Sequence, residues 1–117
     1  MKDFMILFVG ADYGSLGLSP EDMKARMGKW FAWHGKMAEA GISKSGEALH
    51  AKAKRVSGPN KTVTDGPFVE AKELIGGYYI VQANNEQEVI DLVSENYPDF
   101  DIGGSVEIRE VMVFDNM

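Results

Sequence analysis

The sequence predicts an α+β fold, one antiparallel sheet with two helices on a single face, from three observations. Element signals follow the order β-α-β-β-β-α-β, tight turns join the middle strands, and three strands are bulky and apolar on both sides. The 117 residues can bury one core but not two, so residues 1–117 are expected to form a single domain.

Residues 4–9 (Phe-Met-Ile-Leu-Phe-Val) form a short apolar run that stops at Gly10, the pattern of a strand buried on both faces. Residues 11–18, with Gly14 and Gly17 inside and Gly10 beside them, read as a loop. Ser19-Pro20-Glu21-Asp22 carries the marks of a helix start: a hydroxyl cap, a proline at the first helical position and acids in the first turn. That helix should run to about Gly41. At about 100° per residue, Met23, Met27, Trp30, His34, Met37, Ala38 and Gly41 share one stripe, which puts His34 near the centre of the inward face.

Residues 47–56 alternate small or apolar side chains (Leu49, Ala51, Ala53) with polar ones (His50, Lys52, Lys54) and predict a half-exposed strand. Ser57-Gly58-Pro59-Asn60 reads as a turn into a second short strand at residues 61–64, so the pair predicts a hairpin broken by Asp65-Gly66-Pro67. Residues 75–83, with Tyr78, Tyr79, Ile80 and Val81, predict a central strand. Asn85 and Glu88 resemble a capping box ahead of a second helix, whose Val89, Ile90, Leu92 and Val93 supply an apolar face before Asn96-Tyr97-Pro98 stops it. Residues 99–104 read as loop and residues 105–114 as the last strand, alternating at Val106 and Ile108 and wholly apolar from Val111. Internal repeats, linkers and low-complexity stretches are absent from the sequence.

This order fits a ferredoxin-like layout. Two helices cover one side of a sheet, yet the first strand, the strand at 75–83 and the last strand are apolar on both sides. At about 25 cal/mol per Å², leaving several hundred Å² of apolar surface wet costs on the order of 10 kcal/mol, comparable to the stability of a whole domain. A second sheet from a twin chain is the simplest cover, so a homodimer is expected; the alternative is a loop folding back, for which residues 11–18 and 99–104 are available.

Twelve Lys and Arg against eighteen Asp and Glu give a net charge of -6, the wrong sign for a direct nucleic-acid or anionic-membrane partner. Hydrophobic residues at 44% and charged residues at 26% describe a chain that folds. Cysteine is absent, which removes disulfides, thiolate nucleophiles and Cys-ligated zinc and makes the cytoplasm the expected compartment. The apolar run at 4–9 is too short to span a bilayer, and Met1-Lys2-Asp3 does not begin a secretory signal.

Chemistry concentrates in two places. Asp65-Gly66-Pro67 defines a rigid bend in which Asp65 either only stabilises the turn or serves as a pocket carboxylate able to accept a proton or orient a histidine. Glu70, Lys72 and Glu73 follow Phe68, and both a solvated strand edge and ligand contact account for them. His34, one of two histidines, reads either as a hydrogen-bonded core residue or as a proton-transfer group. His50, beside Lys52 and Lys54 on the polar side of an expected edge strand, reads as surface. The two histidines form no spaced metal motif, so neither a metal nor a cofactor is expected. Gly10, Gly14 and Gly17 lack the spacing of a dinucleotide or phosphate loop, and no Gly-x-Ser-x-Gly elbow occurs.

Residues 64–73, Thr-Asp-Gly-Pro-Phe-Val-Glu-Ala-Lys-Glu, followed by Ile75-Gly76-Gly77-Tyr78-Tyr79, closely resemble the DGPF signature of the YCII-related family. The closing run from Gly103 to Met112, with Arg109 inside it, resembles the family's Gly-x-Val-Glu-Val-Arg-Pro ending, with Glu110 where proline is usual. The resemblance implies a ferredoxin-like fold assembled as a dimeric α+β barrel with a cavity at its edge. It also implies a helix histidine paired with an aspartate, here His34 and Asp65 as the catalytic pair, with Phe68, Glu70, Lys72, Glu73 and Arg109 as binding residues. The second-helix exit departs from the shorter members, because Tyr97-Pro98 stands where they have Asp-Pro. Two functions compete: an enzyme that isomerises or eliminates on a small organic acid or lactone, some relatives acting on muconolactone-type compounds, and a non-catalytic ligand sensor or regulatory partner, some relatives being linked to alternative sigma factors.

Overall fold

The fold was analysed in a computed structural model, which describes residues 1–65 and 74–114. Strand β1 (Lys2–Val9) leads through a short helix α1 (Tyr13–Leu16) to the long helix α2 (Pro20–Ala40); β2 (Ser43–Ala48), β3 (Lys54–Ser57), β4 (Thr62–Asp65) and β5 (Ile75–Ala83) follow, then α3 (Glu86–Asn96), a 3₁₀ turn at Phe100–Ile102 and β6 (Ser105–Glu110). The main sheet has the order β2-β5-β1-β6 with every neighbour antiparallel, while β3 and β4 form a separate two-stranded hairpin. Leaving that hairpin aside, this is the ferredoxin-like arrangement, with α2 and α3 on one face.

Local chemistry sets the helix ends. The Ser19 hydroxyl accepts the Asp22 N–H at 3.1 Å, and α2 ends where Gly41 turns left-handed at φ 70°. The Asn85 side chain accepts the Glu88 N–H at 3.0 Å while the Glu88 carboxylate reaches back to the Asn84 N–H at 3.0 Å, a reciprocal cap displaced by one residue from the usual box. These bonds hold the Glu88 carboxyl below the usual carboxylate range.

Between helices and sheet, Phe4, Ile6 and Phe8 of β1, Val81 and Ala83 of β5, Trp33 and Met37 of α2, Val89 and Val93 of α3, and Tyr97 form the core. Phe8 is its hub, stacked on Tyr97 and edge-on to Trp30, Trp33 and Tyr79 at centroid distances of 4.8–5.8 Å. Strand alternation turns Met5, Leu7, Val9, Tyr78 and Ile80 to the opposite face, where they are half-buried, and Val106 and Ile108 back to the core. The expected two-faced strands are therefore present in β1 and β5 but not in β6, whose outward residues are Ser105, Glu107 and Arg109.

Four sequence expectations need correction. His34 is not at the centre of the inward face: Trp33 and Met37 are buried there, at 1% and 0% exposure, and His34 lies exposed on the flank, because the packed stripe is rotated by one residue along α2. The strand expected at 47–56 is two elements. Its first half begins at Ser43, because β2 takes its ladder from β5 and not from a hydrophobic pattern of its own, and residues 49–53 are not strand. Loop 11–18 contains α1, capped by Asp12, whose side chain accepts the Gly14 N–H at 3.1 Å. The last strand stops at Glu110: Val111 N–H still reaches the Asp3 carbonyl at 2.8 Å, but the register brings Met112 level with Lys2, where β1 starts, and residues 113–114 run beyond it.

Candidate functional site

A cavity of about 710 Å³ opens between the N-terminal two-thirds of α2 and the β2–β5 edge of the sheet. Its roof is Met23, Met27, Trp30, Phe31 and His34 of α2; residues 10–14 close one end, and Phe8, Tyr79, Tyr97 and Asp99 stand behind. Small residues, Gly46, Ala48 and Gly77, line its floor. Gly46 is compelled by close approach: a Cβ there would overlap the Tyr79 ring and come within 2.7 Å of the Tyr78 carbonyl oxygen.

A buried polar cluster braces the inner wall. Asp99, 3% exposed, accepts the Tyr13 hydroxyl at 2.5 Å and one Arg26 guanidinium nitrogen at 3.2 Å. Trp30 donates its indole N–H to the Tyr13 oxygen at 2.9 Å, and Arg26 grips Asp101 with two bonds of 2.9 Å and the Pro98 carbonyl at 3.1 Å. Arg26 in turn holds the Asp101 carboxyl below its usual range. Burial, then the neighbouring Asp99 carboxylate, holds the Tyr13 phenol protonated far above its ordinary range. Tyr97 is pushed up to about 12, first by burial and then by Asp99, and Tyr79 is pushed up by burial. This cluster ties α1, α2 and the 3₁₀ turn together, and its hydrogen-bonding capacity is largely spent inside the wall.

His34 lies at the cavity roof with its ring stacked on Tyr79, centroids 6.0 Å apart and planes 28° from parallel. Among the described residues it makes no hydrogen bond or ion pair, so both ring nitrogens are free for a ligand. Asp65 does not line the cavity. It ends β4, has its side chain 77% exposed and pairs with Lys54 across the hairpin at 3.1 Å, so within one chain the structure does not bring the sequence-predicted pair together. Arg109 is equally remote, on the face of β6 opposite the helices, bridged to Glu107 at 3.0 Å. Phe68, Glu70, Lys72 and Glu73 lie outside the described residues.

Sequence reasoning missed Tyr13, Asp99 and His50, all three at the cavity. Asp99 had a readable signal: the acid lacking at Tyr97-Pro98 follows immediately after the proline. Tyr13 had none, since a lone tyrosine in a glycine-bearing loop is indistinguishable from surface. Among the described residues no cluster of three or more His, Cys, Asp or Glu could hold a metal, and no helix is long and apolar enough to cross a membrane.

The YCII-related domain matches residues 17–115. No curated protein matches the chain. Among solved structures, 5-chloro-2-hydroxyhydroquinone dehydrochlorinase from Burkholderia phenoliruptrix, in complex with 2,5-dihydroxybenzoquinone, is similar at 14% identity and a TM-score of 0.49, covering 94% of this chain and 93% of that chain.

Proposed function

The chain belongs to the YCII-related family, and we propose that it is an enzyme moving a proton on a small cyclic organic acid or lactone, with His34 as the transferring group. The supporting observation is the position of His34: an imidazole with no hydrogen-bond or ion-pair partner among the described residues, at the roof of a cavity whose size suits a small molecule and whose walls are mostly aromatic and aliphatic. As base, His34 takes a proton from the carbon beside a carbonyl, the electron pair moves to the carbonyl oxygen, and the imidazolium returns the proton elsewhere or a leaving group departs. Tyr79, kept protonated by burial, stacks on His34 and supplies a phenol beside the reacting centre.

Turnover measured on a panel of ring lactones and their acids tests this. His34→Ala is expected to lower kcat by about 10² to 10⁴ with an unchanged circular dichroism spectrum; undiminished turnover removes the assignment. Asp65→Asn is expected to change turnover only a few-fold, because Asp65 is engaged by Lys54. A loss equal to that of His34→Ala would restore it as the orienting carboxylate.

The same reading includes a homodimer. Support comes from the half-buried Met5, Leu7, Tyr78 and Ile80 on the helix-free face, together with Val56, Val63, Met112, Val113 and Phe114, which are 59–81% exposed. A second copy related by a twofold axis covers such a face with the same face of its own.

A further inference from the structure

We propose that His50 is a second ligand-contacting residue of this cavity and that, opposite His34, it holds the carboxylate of a small ring-bearing acid, an inference that rests on the cavity being the ligand site. The chain has two histidines, and both line this cavity. They arrive from opposite walls: His34 from α2, His50 from the segment after β2. The β2–β5 ladder continues past Ala48 through a 2.9 Å bond from the Leu49 N–H to the Gly76 carbonyl. Alternation along β2 puts residues 46 and 48 on one side. Gly46 on that side abuts the Tyr79 ring, which is the ring His34 stacks on. His50, exposed two residues beyond the end of β2, lines the same cavity.

The ligand class follows from which polar groups are already engaged. Asp12 caps α1 through the Gly14 N–H, and Asp99 is occupied by Tyr13 and Arg26. Glu47 also lines the cavity, opposite Tyr78 in the β2–β5 register, and strand alternation turns its side chain to the face away from Gly46 and Ala48. Neither imidazole makes a hydrogen bond or ion pair among the described residues. Two uncommitted N–H donors in one cavity that aromatic side chains also line suit a flat apolar ring bearing a carboxylate, the acceptor with which imidazole forms its strongest bonds.

Benzoate titration of the full-length chain, followed on the ring signals of its two histidines by NMR, tests the assignment. Both signals are expected to move along one isotherm. His50→Ala should weaken benzoate binding about tenfold to a hundredfold, as for one lost hydrogen bond to a charged group, and leave benzyl alcohol binding unchanged. His50→Gln, which keeps an N–H donor, should recover part of the loss. Movement of the His34 signal alone, or equal benzoate affinity in His50→Ala, overturns the role of His50 while the cavity stands. Equal weakening of benzoate and benzyl alcohol overturns the carboxylate assignment, and benzoate moving neither signal overturns both the inference and the ligand cavity beneath it.

Discussion

Individual side chains of the cavity wall carry two predictions. Tyr13, Tyr79 and Tyr97 are all pushed up, chiefly by burial, and Tyr97 reaches about 12 against an ordinary 10.0. A group whose pKa is raised in the folded state gives up stability as pH rises from its unfolded value through its folded one. The melting temperature should therefore hold below about pH 10 and fall steeply toward pH 12, with phenolate absorbance rising together with unfolding; Tyr97→Phe should flatten part of that fall. Asp99→Ala leaves the Tyr13 hydroxyl without its acceptor and takes one of the two carboxylates from Arg26. A loss of about 3 kcal/mol in urea denaturation is expected, since breaking a buried pair strands its partner. Arg26 keeps Asp101, which places the loss at the lower end of the range for such pairs. These residues were the least readable in the sequence. Burial of Asp99 depends on α1 and α2 closing over the 3₁₀ turn, a long-range event that no local pattern encodes. His34 stood out as a rare residue on a helix, but periodicity put it one position too far inward, and Trp33 holds the place assigned to it.

At the scale of elements, the punctuation and the β3–β4 hairpin were legible and the start of β2 was not. Ser19-Pro20, Gly41, Asn85 and Glu88 mark the ends of α2 and the start of α3 through short-range bonds, so reading them required no tertiary knowledge. Asn85→Ala is accordingly expected to cost about 1 kcal/mol by thermal or urea unfolding, with the fold otherwise intact. Strand β2 was invisible at its start because Ser43, Lys44, Ser45 and Gly46 have no strand preference; their conformation is imposed by the edge of β5. Gly46 is the clearest instance, a residue that weakens a strand in isolation and is required here by the Tyr79 ring. Gly46→Ala should destabilise by about 1–3 kcal/mol, and because Tyr79 must move to admit the methyl, it should also disturb the stacking on His34; the shift of the His34 ring signal in NMR reports this directly.

For the whole molecule, the apolar pattern of β1 and β5 foretold a sheet with two faces that avoid water, and the helices do cover only one. The cavity sits on that covered side, roofed by α2. The opposite side, the β3–β4 hairpin and the run at 111–114 present Val56, Val63, Met112, Val113 and Phe114 to solvent in a single chain, more apolar surface than scattered exposure accounts for. A twin chain is the economical cover, and it would place both hairpins and both C-terminal runs within one closed, twofold arrangement. Sedimentation equilibrium of the full-length chain in dilute buffer tests this most directly. The account predicts twice the mass of one chain down to micromolar concentrations; a stable, folded species of single-chain mass would contradict it.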